Sequence, residues 1–117
     1  MTLLLISLLA LKHFIFDFAW QTQSEVANKG SYGNPKGLLH SYKHALGTLL
    51  VLSPITSLFF TLAVADGVIH YHIDWVKMNY GEQDPTKPRF WRDFGLDQLA
   101  HTLTYVALTA IALTFKF

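Results

Sequence analysis

Histidine and aspartate residues recur four positions apart in this sequence, a spacing that places two side chains on one face of an α-helix. Four segments carry such pairs. The pairs are His13 with Asp17, His40 with His44, Asp66 and Asp74 with His70, and Asp97 with His101. Imidazole and carboxylate groups are ligands for zinc, iron and manganese. The pattern therefore predicts metal ligation, with acid–base chemistry at the same groups.

The segments that carry these pairs are unusually apolar. Only 15% of the residues are charged, whereas about 25% is typical of a soluble domain. Residues 45–65 and 102–115 contain no charged side chain. The chain has no cysteine, which excludes disulfides and thiolate metal sites, and its net charge of +1 gives no indication of a nucleic-acid partner. This distribution is typical of a membrane protein.

Helical periodicity and length predict an all-α fold. We expect residues 1–117 to form a single domain, an integral membrane bundle of four transmembrane helices in up-down-up-down order. The predicted spans are 2–21, 37–52, 55–78 and 96–116, with Ser53–Pro54 as a tight turn, polar loops at 22–36 and 79–95, and Asp93 near the N-cap of the last helix. The first span lacks a basic segment before it and a cleavage site after it, so we interpret it as retained. This topology brings all four polar clusters to one end of the bundle.

The distribution of basic residues predicts the orientation. Most lie at or near the polar end: Lys12, Lys29, Lys36, Lys43, Lys77, Lys87, Arg89 and Arg92. Only Lys116 lies at the other end. By the positive-inside rule, the polar loops face the cytoplasm, and both termini lie on the opposite side of the inner (cytoplasmic) membrane. Three tryptophans near the polar end fit an interfacial belt there.

The candidate metal ligands number eight. They are His13, Asp17, His40, His44, His70, Asp74, Asp97 and His101. A divalent metal is expected, zinc first, with iron or manganese as alternatives. Hydrolysis is the natural reaction, because a bound metal acidifies its water and a nearby carboxylate accepts the proton. Asp17, Asp74, Asp97 and Lys77 are the candidate catalytic residues, and a lipidic or phosphate-bearing substrate suits a site beside the bilayer and its basic residues.

An ordered series of motifs runs through the chain: HFIFDFAWQTQ, NKG, LLHSYKHAL, HYHIDWVK and FWRDFGLDQLAH. The series resembles a small family of bacterial and phage integral membrane proteins catalogued as a domain of unknown function (number 3307). The matching positions are His13, Asp17, Gln21, Lys29, His40, His44, His70, Asp74, Lys77, Asp97, Gln98 and His101. The resemblance implies no activity. A fainter similarity, in the histidine and aspartate spacing, is to predicted membrane-bound metal-dependent hydrolases.

Two other functions fit the same residues. The pairs could be structural, in a non-enzymatic small membrane protein that binds or stabilises a larger membrane complex or forms a homo-oligomer. Ion passage is the other alternative, but the half of the membrane opposite the cluster has no ionisable residue, which favours a pocket open to one side. His72 is expected outside the cluster. Asp66 lies about 12 Å deeper than Asp74 and is expected to pair with His70 or to form the floor of a polar cavity.

Overall fold

Five α-helices and one π-helical turn make up the fold in a computed structural model that describes residues Met1–Phe117. The helices are α1 (Thr2–Phe14), α2 (Gln23–Asn28), α3 (Pro35–Leu52), α4 (Phe59–Tyr80) and α5 (Pro88–Thr114), and the π-helical turn, Ile15–Ala19, continues α1. There is no β-strand, only an isolated bridge between Thr56 and Lys116. The all-α prediction is confirmed.

The first two helices depart from the predicted boundaries. α1 and its π-helical turn end at Ala19, two residues before the predicted limit. Thr22 then starts α2 within the predicted loop, because it forms a capping box with Glu25. The Glu25 amide donates to Thr22 Oγ1 at 3.1 Å, and the Thr22 amide donates to Glu25 Oε2 at 2.7 Å. This S/T-x-x-E signature was readable in the sequence.

The last two helices also begin away from their predicted starts. α4 begins at Phe59 rather than at residue 55, because Thr56 Oγ1 instead donates to the carbonyl of Phe115 at 2.8 Å. α5 begins at Pro88, with Lys87 at its N-cap. A proline suits the first helical position, where its missing N–H is not needed. Asp93 therefore lies inside α5, and its predicted N-cap role was wrong.

Four long helices form a closed ring in which α1 packs on α3, α3 on α4, α4 on α5 and α5 on α1. Neighbours run antiparallel. At one end, the start of α1 and the end of α3 share an apolar core with the start of α4 and the end of α5. That core contains Leu5, Leu9, Leu52, Leu62, Tyr105, Leu108 and Ala112. The histidine and aspartate pairs therefore meet at the other end, as the up-down-up-down order predicts.

The distribution of polar and apolar side chains is the reverse of that in most soluble domains. Fifteen of the 26 buried residues carry polar or charged side chains. Large apolar side chains cover the outside, including Leu3, Leu50, Phe60 and Leu103, each more than half exposed. The interior is thus organised by hydrogen bonds and ion pairs at one end and by aliphatic packing at the other.

One helical stretch, Thr2–Ala19, is long and apolar enough to cross a membrane by length and composition. We expected four such helices, and the other three long helices do not meet that criterion. The physical reason is that these helices carry buried histidines and aspartates, together with lysines and arginines that are not buried, and all of these side chains lower their average hydropathy.

Gly47 provides the space that Lys12 occupies between α1 and α3. A Cβ at this position would lie 2.5 Å from Lys12 Cγ and 2.9 Å from Phe16 Cε2. The Lys12 side chain cannot simply swing away, because its ammonium is 2.7 Å from Asp66 Oδ2. The close approach of α1 to α3 therefore depends on glycine at this position.

We predict that Gly47→Ala lowers the free energy of unfolding by about 1–3 kcal/mol, because overpacking displaces Lys12. The midpoint of thermal unfolding in detergent, followed by circular dichroism, measures the effect. The matched control is Gly95→Ala in α5, where an added Cβ meets nothing within 4 Å. That substitution should be neutral or stabilising by about 0.5–1 kcal/mol. Equal destabilisation by both would contradict this account of Gly47.

Candidate metal centre

Asp17 lies at the centre of the polar end. The π-helical turn holds its carboxylate against two histidines of α3: His40 Nε2 lies 2.8 Å and His44 Nε2 3.1 Å from Asp17 Oδ1. His70 Nε2 of α4 lies 3.6 Å from the same oxygen. All four side chains are buried. π-helical turns are rare and are often found at functional sites.

Asp74 is the second carboxylate of the cluster, and it lies one turn after His70 on α4. Asp74 Oδ2 is 3.2 Å from His70 Nε2 and 3.5 Å from His40 Nε2. Asp74 Oδ1 is 3.3 Å from His101 Nε2 of α5. Asp17 and Asp74 therefore share His40 and His70 between them, an arrangement suited to carboxylates that bridge two ions.

His13 completes the cluster from α1. Its Nε2 lies 3.2 Å from Asp17 Oδ2 and 3.0 Å from Gln98 Oε1. Its other ring nitrogen lies 2.9 Å from the hydroxyl of Tyr105. A partner on the second ring nitrogen fixes the tautomer and orientation of a ligating histidine.

The distances between these atoms fit the coordination shell of a metal. Two ligands at about 2.0–2.1 Å from a tetrahedral zinc lie about 3.3–3.4 Å apart. His40 Nε2 and His70 Nε2 are 3.3 Å apart. Three overlapping groups have all their ligand atoms within 4.8 Å of one another: Asp17, His40, His44 and His70; Asp17, His70, Asp74 and His101; and His13, His70 and His101. The residues present therefore fit one divalent ion or two.

Seven of the eight predicted ligands belong to these groups. Asp97 does not. It lies at the edge of the cluster, with its Oδ1 3.7 Å from His101 Nε2, buried and without a hydrogen-bond partner. Its Oδ2 accepts a hydrogen bond from Gln98 Nε2 at 3.0 Å. Asp97 is therefore better placed to accept a proton than to bind an ion held by the others.

Two lysines border the cluster. Lys29, at the end of α2, lies 3.5 Å from Asp17 Oδ1 and 3.4 Å from Asp74 Oδ2. Lys29 is one of the basic residues expected near the polar end, and it lies between the two carboxylates. Lys77 Nζ lies 3.9 Å from Asp97 Oδ2 and over the Phe94 ring. Lys77 is thus beside the candidate site and not within it.

Asp66 forms the floor beneath the cluster, but its partner is Lys12 and not His70. Lys12 Nζ lies 2.7 Å from Asp66 Oδ2 and donates to Thr48 Oγ1 at 3.0 Å. It also approaches the carbonyl of His44 at 3.4 Å. We expected Lys12 among the basic residues near the polar end. It is buried instead, because α1 places it one residue before His13 on the inward side.

One residue was correctly predicted to lie outside the cluster, and two residues that contact the cluster were not predicted. His72 is exposed and lies 2.9 Å from the Tyr32 hydroxyl, outside the cluster as predicted. Sequence reasoning missed Tyr105, although its position four residues after His101 continues that helix face. It also missed Glu25, which is buried with its Oε1 3.7 Å from His40 Nδ1.

Glu25 is stabilised in its charged form. Burial raises the pKa of its carboxyl, but the ion pair with Lys43 at 2.8 Å and the hydrogen bond from the Thr22 amide outweigh this effect and lower the pKa to about 2. A negative charge therefore stays beside the outer nitrogen of His40. A carboxylate in this position increases the basicity of a ligating imidazole.

A small polar cleft of about 60 Å³ opens onto the cluster. Its lining includes Asp17, Gln21, Lys29, Asp74, Lys77 and Asp97. Two water molecules have about this volume. The cluster is thus accessible to water or to one small polar group from the polar end of the bundle.

Comparison with known proteins gives a family but no activity. Residues 4–116 match the family described as "Protein of unknown function (DUF3307)". This match confirms the family resemblance seen in the motifs. No curated protein and no solved structure matches the chain.

We predict that Lys12→Met or Asp66→Leu alone lowers the free energy of unfolding by about 3–5 kcal/mol, because each leaves a buried charge without its partner. The double variant should lose less than the sum of the two. Thermal unfolding midpoints of all four proteins complete the cycle. Additive losses would contradict the direct pairing.

The pKa of Glu25 predicts a pH dependence of stability. Because the folded value, about 2, lies below the ordinary value of 4.5, the stabilisation is fully present above pH 4.5 and is lost as the pH falls towards 2. We expect Glu25→Gln to remove about 1–2 kcal/mol at neutral pH and little at low pH, measured by thermal unfolding across this range. Glu82→Gln, at an exposed ion pair, is the control and should have a smaller effect at neutral pH. A pH-independent loss for Glu25→Gln would refute the assignment.

Proposed function

The chain belongs to this family of proteins of unknown function, and we propose that it is an integral membrane protein whose histidine–aspartate cluster binds a divalent metal. The bound metal would support hydrolysis of a lipidic or phosphate-bearing substrate. The observation that carries the proposal is the convergence of five buried imidazole Nε2 atoms on two carboxylates, at separations of 2.8–3.6 Å.

Location in a membrane is supported by the inverted distribution of side chains. A surface rich in exposed leucine and phenylalanine would promote aggregation in water. Exposed apolar patches larger than a few hundred Å² usually mark protein or membrane interaction sites. Polar residues in membrane-spanning helices almost always face the bundle interior, as do Lys12, Asp66 and His70 here. On this proposal all four long helices span the bilayer, including the three whose average hydropathy is lower.

The proposed orientation keeps the cluster on the cytoplasmic side of the inner membrane. Lys36, Lys43, Lys87, Arg89 and Arg92 lie outside the ligand groups at or near the polar end, where they are available for the positive-inside effect. Lys116 and both termini lie at the apolar end. The bilayer is thus the first partner that we propose.

The chain's own residues supply the remaining parts of a hydrolytic site. Zinc is our first choice of metal because it favours imidazole and carboxylate ligands, with iron and manganese as alternatives. A bound metal would lower the pKa of a water molecule to about 7. Asp97, with one oxygen free of hydrogen bonds, is proposed to accept the proton from that water. Lys29 and Lys77, which both line the cleft, would orient an anionic group.

One observation favours a second candidate, a metal-free cluster that is purely structural. Lys29 lies 3.4–3.5 Å from both carboxylates and so already offsets part of their charge. In that case the cluster would hold the four helices in register, and the protein would bind or stabilise a larger membrane complex. Interhelical hydrogen bonds in membranes contribute only about 0.6 kcal/mol each on average, which is little for so many buried ionisable groups.

The first test is metal content, measured by elemental mass spectrometry on detergent-purified protein. We expect near-stoichiometric zinc, iron or manganese in the wild type. His44→Ala and Asp74→Asn each remove a ligand from a different group and should lower metal content about 10-fold or more. If only one of the two variants loses metal, the ligand group that contains its substituted residue holds the ion.

The matched control is His72→Ala, which removes an exposed histidine outside the cluster and should leave metal content unchanged. Circular dichroism and size-exclusion profiles establish that each variant is folded. A folded wild type that stays metal-free after incubation with each ion would refute the metal proposal and favour the structural candidate. If metal is bound, release of phosphate or fatty acid from bilayer lipids, lost in Asp97→Asn with metal retained, tests the hydrolase.

A further inference from the structure

A long apolar groove runs along the outer face of the bundle between α4 and α5. Its volume is about 600 Å³, within the range of about 300–1,000 Å³ typical of sites for small molecules. Its apolar walls are formed by Val68, Ile69, Ile73, Val76, Leu96 and Ala100. Since α4 and α5 are neighbours in the ring, this face is directed away from the cluster and towards the surroundings.

Apart from His72 on the α4 wall, the ionisable residues of the groove lie at its end next to the α4–α5 loop. Lys77 and Arg89 lie there, with Asp93 and Asp97 beside them. Asp93 is shared by two arginines, Arg89 at 3.2 Å and Arg92 at 3.0 Å. Lys77 lies 3.9 Å from Asp97, beyond hydrogen-bonding distance. Two basic and two acidic side chains line this end, and Arg92 beside them adds one further positive charge. The Lys77 ammonium, which has no hydrogen-bonded carboxylate, is available to an anion.

The groove and the polar cleft share part of their walls. Lys77 and Asp97 line both. On one side of this pair lies an apolar surface that fits a hydrocarbon chain, and on the other lies the route to Asp17 and Asp74. The Lys77–Asp97 pair is thus the boundary between the outer surface of the bundle and the candidate metal centre.

We infer that the groove binds the apolar chain of an anionic bilayer lipid, with the phosphate of its head group at Lys77 and Arg89. This inference rests on the proposed membrane location and makes the groove the route by which a lipid substrate reaches the cluster. A phosphate at Lys77 would compete with Asp97 for the ammonium. The carboxylate that we propose as proton acceptor would then be released when the substrate is bound.

The charge distribution favours an anionic lipid over a second protein chain in this groove. A transmembrane helix would fill the apolar walls but would bring no anion to the Lys77 ammonium. A lipid with a phosphate head group satisfies both parts with one molecule. Basic residues near a membrane surface contribute about 1 kcal/mol each to binding anionic lipids.

The test uses the full chain in phosphatidylcholine vesicles that contain a small fraction of a probe lipid. The probe is phosphatidylglycerol with a photoreactive diazirine on its acyl chain, and phosphatidylcholine with the same diazirine is the comparison lipid. Labelled peptides are mapped by mass spectrometry. We expect labelling concentrated at the groove residues of α4 and α5 and stronger with phosphatidylglycerol than with phosphatidylcholine.

Two variants separate the head-group contact from the chain contact. Lys77→Gln should reduce the preference for phosphatidylglycerol about fivefold, the factor expected from one basic residue. Ala100→Trp fills the groove and should reduce labelling by both lipids. The matched control is Ala107→Trp, two turns further along α5, exposed and outside the groove. It should leave labelling unchanged.

Three outcomes would overturn the inference. They are equal labelling by the two lipids, labelling spread evenly over the outer face as far as Ala107, and absence of labelling in the groove, as expected if a second chain covers it. Metal content measured on the same samples separates this inference from the proposed function. Groove labelling in a metal-free wild type would support the lipid site and refute the metal-dependent hydrolase. Metal binding without preferential labelling by phosphatidylglycerol would refute the lipid site and leave the metal proposal standing.

Discussion

The structure depends on one buried carboxylate, Asp17. Its oxygens contact His13 on the same helix, His40 and His44 on α3, and His70 on α4. Few side chains could replace it, because a buried charge must be paired on every side to be tolerated. The π-helical turn of α1 determines where this carboxylate lies. A change in that turn would therefore move the contact point of three helices at once.

The two ends of the bundle are stabilised by different forces. At the end that contains both termini, leucine side chains pack against one another, and a backbone bridge joins Thr56 to Lys116. At the other end, hydrogen bonds and ion pairs replace aliphatic packing. Lys12, Asp66 and Thr48 form the layer between the two, since Lys12 contacts the backbone of His44 above it. The bundle has an apolar outer surface and a polar interior at one end. Such a surface suits the hydrocarbon of a bilayer, and the polar cluster stays inside the bundle, away from that hydrocarbon.

The proposed functional parts follow from this division. The polar cleft supplies access for water, the candidate metal centre lies beneath it, and the α4–α5 groove approaches from the side. Lys77 and Asp97 belong to both the cleft and the groove. This geometry gives a substrate with a polar head and an apolar chain a place for each part.

Much of this was predictable from the sequence because helical spacing and alternating chain direction are local rules. The i, i+4 pairs, the all-α class, the meeting of the pairs at one end and the outlying position of His72 all follow from them. The tertiary structure alone decided the contacts between helices. The packing of α2 on α3 brought Glu25 to His40. The space at Gly47 admitted Lys12, and Asp66 paired with Lys12 rather than with His70 on its own helix. Such pairings depend on distances between helices, which no spacing within one helix determines.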